Sequence, residues 1–290
     1  MKISVGGVPG DAMIEKRDDR SAAPEAIAEE FRMQGAVILP NFLARQDVET
    51  AAKEFQEGFA LLSRETLTDS DLESPMIICW THQIGGRKRF LRMTDAPHIE
   101  GLIRNRSVLA ALHKICGGPI RLLEAAVFSK PPTTGGRLAW HQDASFYPVS
   151  GGVQLTASFP LDDMSEETGA LSLALGSHNS SLRCAVDLHT GTRRTDDVRP
   201  GSIEFDLSHY EIVTPPVGPG DIMLFDSLTI HGSGPNTSLD RQRRLLSVRY
   251  ISADCRFTPV GGNAATFMNQ IRVDRGEPIA GSAFPLFEQN

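Results

Sequence analysis

Cysteine is scarce: the 290 residues hold four, Cys79, Cys116, Cys184 and Cys255, with no close pair among them. That spacing argues against a cysteine-built metal site and a disulfide framework, and fits reduced thiols in a cytoplasm. Long apolar runs are missing too. Nothing approaches the ~20 residues of a membrane span, so no membrane partner is expected. Residues 1–22 carry no apolar stretch of the kind a secretory signal needs, and the last four, Phe287-Glu288-Gln289-Asn290, are not a Ser-Lys-Leu peroxisomal address. A basic excess is also absent. Against 36 acids stand 29 bases, a net charge of −7, which disfavours nucleic acid as a partner because phosphate binding needs a basic face. There is no internal repeat and no clean linker. What remains is an ordinary globular composition, 40% hydrophobic and 22% charged, long enough for one large domain or two small ones.

Along the chain, helices come first. Residues 1–20 read as a flexible arm ending in the solvated run Glu15-Lys16-Arg17-Asp18-Asp19-Arg20. Ser21 is placed to cap a first helix with Pro24 in its opening turn, Ile27 and Phe31 on one face, and Gly35 at its end. Residues 36–40 follow as a strand. A second helix runs from about Arg45 to Leu62, with Val48, Ala52, Phe55, Phe59 and Leu62 as its apolar stripe. Residues 76–80 and 90–93 read as strands around a turn at 85–89. A third helix from Ser107 stops at Gly117-Gly118. After that the texture changes to short strands between Gly/Pro turns: 120–128, 138–143, 153–161, 170–175, 210–216, 221–228 and 244–253. Residues 179–206 form a long polar stretch, expected to be a lid insertion, and 257–290 a tail with little pattern. No strand–helix alternation appears, so a parallel α/β sheet is disfavoured. The expectation is one mainly β domain over 21–290, a jelly roll buttressed by N-terminal helices.

The chemistry centres on Trp140-His141-Gln142-Asp143. On a strand, residues two apart share a side. His141 and Asp143 therefore offer an imidazole and a carboxylate to one point, with Gln142 facing away. These are two ligands of the two-histidine, one-carboxylate triad that holds Fe(II) and leaves positions open. His231, at the end of the second apolar run, is the candidate third ligand, and a jelly roll brings such distant strands face to face. Sites of this kind commonly use 2-oxoglutarate, whose far carboxylate needs a cation, preferably a bidentate guanidinium. Arg241, Arg243 and Arg244 follow His231. From Arg243 the residues Arg243, Leu245, Ser247 and Arg249 share one strand face, so Arg243 is the favoured anchor, with Arg241 and Arg244 as fallbacks.

Several stretches together, Lys130-Pro131-Pro132, Trp140-His141-Gln142-Asp143, Gly169-Ala170-Leu171, Gly176-Ser177-His178, Gly220-Asp221, His231-Gly232-Ser233-Gly234-Pro235-Asn236 and Arg243-Arg244-Leu245-Leu246-Ser247, closely resemble the phytanoyl-CoA dioxygenase family. The likeness spans roughly residues 22–255. It implies a double-stranded β-helix (cupin-like), Fe(II), 2-oxoglutarate and O2, with His141, Asp143 and His231 as iron ligands and Arg243 as the 2-oxoglutarate anchor. The step from His231 to Arg243 is one residue longer than the family pattern. Ser158 stands where the family often has a large aromatic. Gln154, Thr156 and Ser158 share a face, so Thr156 or Ser158 is expected to assist the co-substrate carboxylate, or the pocket is wider. That departure weakens the case for an acyl-CoA substrate. Related halogenases replace the carboxylate ligand by a small residue; with Asp143 present, hydroxylation or another oxidation is expected instead.

The expected activity is oxidation of an unactivated C–H in a small organic molecule, probed at the mouth by Gln142, Phe146 and Tyr147, in secondary metabolism. Three alternatives stand beside it. A fatty acyl-CoA hydroxylase of the same family is one. A zinc hydrolase or lyase on the same triad would leave Arg243 unexplained. A non-catalytic jelly-roll binding module is opposed by intact ligands. Of the other histidines, His178 reads as structural. A homodimer is compatible with the chain, though no motif encodes one.

Overall fold

The computed structural model describes residues 23–62, 65–66, 68, 71, 73–81, 89–133, 136–182, 184–188, 190–194, 202, 204–259 and 270–289. The expected arm at 1–20, the Ser21 cap, most of the turn at 85–89 and part of the 179–206 segment lie outside the described residues. The helices are α1 (Pro24–Gln34), α2 (Arg45–Leu62), α3 (Pro97–Ile103) and α4 (Arg106–Cys116). The strands are β1 (Ala36–Leu39), β2 (Met76–Thr81), β3 (Arg89–Arg92), β4 (Ile120–Lys130), β5 (Leu138–His141), β6 (Val149–Ser150), β7 (Gln154–Pro160), β8 (Leu171–Leu175), β9 (Glu211–Val213), β10 (Ile222–Asp226), β11 (His231–Ser233), β12 (Arg243–Ser252), β13 (Arg256–Phe257) and β14 (Leu286–Phe287).

Local chemistry accounts for the helices. Pro24 pre-sets the first turn of α1, Ile27 and Phe31 bury one face, and Gly35 closes it at φ 69°. A Cβ on Gly35 would stand 2.3 Å from the His178 ring, so that histidine is packing material over the helix end. In α2 the stripe is Val48, Ala51, Ala52, Phe55 and Phe59, while Leu62 is half exposed at 50%. The stripe thus ends a turn earlier than its spacing suggests. Asn105, not Ser107, starts α4: its side chain accepts from the backbone N–H of Ser107 and Val108, which fills two of the unpaired donors at a helix start. The sequence pattern does not give α3. It is seven residues long with a glycine inside, yet Ile99, Leu102 and Ile103 are fully buried on it.

Two sheets face each other. The larger has the order β1-β10-β7-β12-β4-β2-β3, with β14 on β4; the smaller has the order β5-β11-β8-β9. All pairings are antiparallel except β2 with β4. The architecture is the expected mainly β jelly-roll class with N-terminal helices. The tail carries more order than its sequence suggests: Ile271, Ile279 and Phe284 pack with Leu123, Tyr147 and Ile251 in a small core, and β14 adds to the large sheet.

The large sheet has an unusual division of labour. Its outer face, Leu155, Ala157 and Phe159 on β7 with Leu246, Val248 and Tyr250 on β12, packs under the helices in the main core. That burial is the chief stabilising contribution, at about 25 cal/mol per Å2 of apolar surface. The alternate residues face the second sheet, and many are polar: Thr156, Ser158, Arg243, Ser247 and Arg249, each 6% exposed or less. On β4 a bulge at Leu123 (Arg249 pairs with Glu124, Tyr250 with Leu122) resets the alternation, so Glu124 and Lys130 also face inward. Burying polar and charged groups costs free energy unless they are paired. An interior lined this way is built around a polar site.

Candidate metal centre

His141 ends β5 and His231 opens β11, and the two are directly paired across that ladder. Gly232 lets the strands close: a Cβ there would stand 2.9 Å from the Leu138 carbonyl oxygen. The expectation that residues 138–143 form one strand needs correction. The strand stops at His141, and Asp143 opens a 3-10 turn. Gln142 remains extended at φ −114°, ψ 128°, so the alternation carries through and Asp143 still reaches the histidines' side.

The ligand atoms of His141, Asp143 and His231 all lie within 4.8 Å of one another, and all three residues are buried. Nε2 of each histidine is 3.6 Å from Asp143 Oδ1, a gap that two bonds of about 2.1 Å to one ion can span. The Nδ1 atoms face backbone carbonyls, Ala139 O at 2.7 Å and Thr229 O at 2.9 Å. A carbonyl can only accept, so each Nδ1 donates and each Nε2 keeps its lone pair turned to the shared point. Burial first, then the charge of His141, draws the His231 pKa down to about 3, leaving the neutral imidazole a metal ligand requires. Burial would raise the pKa of Asp143, but Arg249, His231 and His141 outweigh it and hold the carboxyl well below the usual range. Two neutral nitrogens and one carboxylate oxygen fit Fe(II).

The carboxylate is itself held. Thr156 Oγ1 donates to Asp143 Oδ2 at 2.8 Å, and Arg249 Nη2 lies 3.4 Å from both oxygens. Arg249 reaches Glu124 at 3.6 Å on its other side, and its guanidinium lies over the rings of Phe128 and Tyr147. Partners that orient a metal ligand typically matter 10–100-fold for metal affinity. Arg249→Gln is therefore expected to weaken Fe(II) binding by about that factor while the fold persists, as read by calorimetric titration under anaerobic conditions. An unchanged affinity would mean that Asp143 is held well enough by Thr156 alone.

The other expected site residues divide. Phe146 sets its ring edge-on to His141 at 5.5 Å, and Tyr147 donates to Glu124 at 2.9 Å; both stand beside the triad. Gln142 faces away. It is fully buried and donates to the carbonyl oxygens of Leu228 and Ser181 and to Ser180 Oγ, pinning the segment after β8 to the metal strand. Thr156 donates to Asp143, and Ser158 lies 3.4 Å from Ser247. In the 179–206 segment, Leu188 O accepts from Ala139 N, so described residues of that loop border β5. Among the three arginines, Arg241 is exposed and paired with Glu167, and Arg244 binds Asp162 through Nη2 at 2.7 Å. Arg243 is 1% exposed, and its Nε and Nη2 have no hydrogen-bond partner among the described residues. Sequence reasoning missed Lys130 and Glu124. Both are inward polar residues on a strand that reads as apolar, and the bulge that turns them inward leaves no trace in the pattern.

The fold is of the jelly-roll class, and its buried His141, Asp143 and His231 could together hold one metal ion. The family model for phytanoyl-CoA dioxygenase (PhyH) matches residues 31–245, and the chain belongs to that family. It is 35% identical over 176 residues to a probable alpha-ketoglutarate-dependent hypophosphite dioxygenase of Stutzerimonas stutzeri, covering 59% of this chain and 60% of that protein. The chain thus spans under two thirds of that relative's length. It is 26% identical over 266 residues to the 1-deoxypentalenic acid 11-beta-hydroxylase of Streptomyces exfoliatus, covering 86% of each. Among solved structures, the epimerase SnoN in complex with Fe3+, alpha ketoglutarate and nogalamycin RO matches with TM-score 0.66 at 23% identity, covering 91% of this chain and 98% of that one. No described helix is long and apolar enough to cross a membrane.

Proposed function

We propose that the protein is an Fe(II)- and 2-oxoglutarate-dependent dioxygenase that hydroxylates, or otherwise oxidises, an unactivated C–H of a small organic molecule. One observation carries this reading furthest. Among the described residues, the Nε/Nη2 edge of buried Arg243 has no partner, and it lies on the face of the large sheet turned toward the small sheet that carries His141 and His231. An arginine stays charged in a protein; burial lowers its pKa only to about 10. A buried cation without a partner is costly, and a side-on guanidinium edge is shaped for a carboxylate. A zinc hydrolase on the same triad has no use for it.

When bound, Fe(II) and 2-oxoglutarate supply the oxidising chemistry, with one oxygen atom of O2 going to substrate and the other to succinate, alongside CO2. The chain's own work is positional. His141, Asp143 and His231 would hold the ion through two imidazole nitrogens and one carboxylate oxygen. Arg249 and Thr156 fix the Asp143 carboxylate. Arg243 orients the co-substrate from its far end. With Asp143 in place, no ligand position is vacated for halide, which favours hydroxylation over halogenation.

The substrate reading rests on relatives named for hypophosphite and 1-deoxypentalenic acid, which support a small molecule over a long acyl chain. A role in secondary metabolism is in keeping with the latter. Buried cysteines outside any disulfide suit the reducing cytoplasm, and we place the whole of 21–290 in one oxygenase domain. The test is succinate release by the Fe(II)-loaded enzyme across a panel of small organic acids, amino-acid derivatives, terpenoid acids and acyl-CoAs. Stimulation by a compact member is expected. Stimulation by acyl-CoAs alone would overturn the substrate class.

A further inference from the structure

One row of residues crosses the large sheet beneath the triad. Glu124 on β4 is directly paired with Arg249 on β12, Arg249 with Thr156 on β7, and Thr156 with Phe225 on β10. Phe225 sets its ring 4.7 Å from that of His231, and Thr156 and Arg249 hold Asp143. Glu124 is one step further out and meets the triad through Arg249. It stands in the row because of the bulge at Leu123, and bulges near functional sites serve to re-aim a side chain. The Glu124 side chain is only 11% exposed. Burying a carboxylate costs free energy unless it is paired, so its placement asks for a use.

Arg249 stands between two carboxylates. Its Nη1 is 3.6 Å from Glu124 Oε1, and its Nη2 is 3.4 Å from Asp143 Oδ1 and from Oδ2. A charge-assisted hydrogen bond closes to about 2.8 Å, so the guanidinium has settled fully on neither. Burial would lower its pKa, but Asp143, Tyr147 and Glu124 outweigh that and raise it, so Arg249 stays charged. Asp143 Oδ1 is the oxygen both histidines face. A guanidinium drawn fully onto Asp143 would bind it side-on through two N–H groups and take that oxygen from an ion. Resting only on the reading of the triad as a metal site, we propose that Glu124 is a positioning residue for the metal carboxylate: it holds Arg249 back from Asp143 Oδ1, so that Asp143 is oriented by Arg249 yet stays open to the ion. When a dication draws on the charge of Asp143, Glu124 remains beside Arg249 as its counter-charge.

The alternative is a purely structural role, Glu124 tying β4 to Tyr147, whose hydroxyl donates to it at 2.9 Å. Glu124→Gln separates the two, because it removes the charge and keeps an oxygen for that hydroxyl; Glu124→Met serves if Gln fails to fold. Wild type, Glu124→Gln, Glu124→Asp, Arg249→Gln and the double variant Glu124→Gln/Arg249→Gln are titrated with Co(II), a redox-stable stand-in for Fe(II). Calorimetry reads the affinity, the visible ligand-field bands at saturation read the donor strength of the Asp143 oxygen, and each protein is melted without metal. In Glu124→Gln the Kd is expected to rise at least about fivefold, toward the lower end of what partners of a metal ligand typically contribute. The bands shift, the metal-free melting temperature stays near that of wild type, and Glu124→Asp, which keeps the charge, recovers most of both readings. In the Arg249→Gln background the same substitution changes Kd by less than about twofold, as for two residues acting as one unit. A Kd for Glu124→Gln within about twofold of wild type with unshifted bands, whatever the melting temperature, overturns the proposal. So does a loss that persists in full without Arg249, which would mark a charge acting through space. If wild type does not bind Co(II), or Asp143→Ala binds it equally well, the metal reading itself fails and this one with it.

Discussion

Asp143→Ala is expected to reduce Fe(II) affinity by more than about 100-fold, since it removes the one charged ligand of the triad rather than a partner that merely orients it. Equilibrium dialysis against Fe(II), or Mn(II) as a redox-stable substitute, reads this directly. A cost in stability comes with it. The carboxylate also neutralises Arg249, which is 6% exposed. Breaking a buried pair typically costs about 3–5 kcal/mol. Glu124 at 3.6 Å still offers Arg249 a partner, so a smaller loss, of order 2 kcal/mol, is expected in the metal-free protein. Retained metal affinity would relocate the site, because Asp143 Oδ1 is the atom both histidines face.

Arg243→Met is expected to leave Fe(II) binding intact and to weaken 2-oxoglutarate by on the order of 100-fold or more. Truncating one partner of a buried charge pair costs about 2–5 kcal/mol, and 2.7 kcal/mol is about 100-fold. The unliganded variant should be as stable as wild type or more so, because methionine removes a buried cation whose Nε and Nη2 have no partner. Stability gained with function lost marks a residue kept for its ligand. The two measurements are a 2-oxoglutarate titration and a melting curve. If the variant is destabilised yet binds the co-substrate normally, Arg243 is structural, and the account of the inner wall is wrong.

How much of this was legible in the sequence follows from where the signal is local. The pair His141 and Asp143 depends only on alternation over three residues, which survives even though the strand ends at His141 and Asp143 starts a 3-10 turn. Arg243 was distinguishable from Arg244 by parity along a ten-residue strand, and from Arg241 because that residue precedes the strand; the two neighbours pair outward with Glu167 and Asp162. Arg249 shares that parity, yet its contact with Asp143 depends on how β12 sits beside β7 and faces the sheet of β5, which no local pattern encodes. Glu124 and Lys130 lie on the far side of a bulge whose position is set by the β12 ladder. Thr156 and Ser158 share a face as expected, but the metal carboxylate takes the first hydroxyl. Helix α3 was hidden by its length and by Gly101. The apolar residues of the tail, Ile279 and Phe284, follow no period because irregular chain buries them.

The measurement that bears most directly on the central claim is the anaerobic titration of the purified protein with Fe(II) and then 2-oxoglutarate, followed in the visible range. Chelation of the iron by the 2-oxo acid gives a metal-to-ligand charge-transfer band. The account predicts that the band appears, saturates at one equivalent of each, and is lost in Asp143→Ala and Arg243→Met at the same concentrations. Folded protein that takes up Fe(II) and shows no band at saturating 2-oxoglutarate would contradict it.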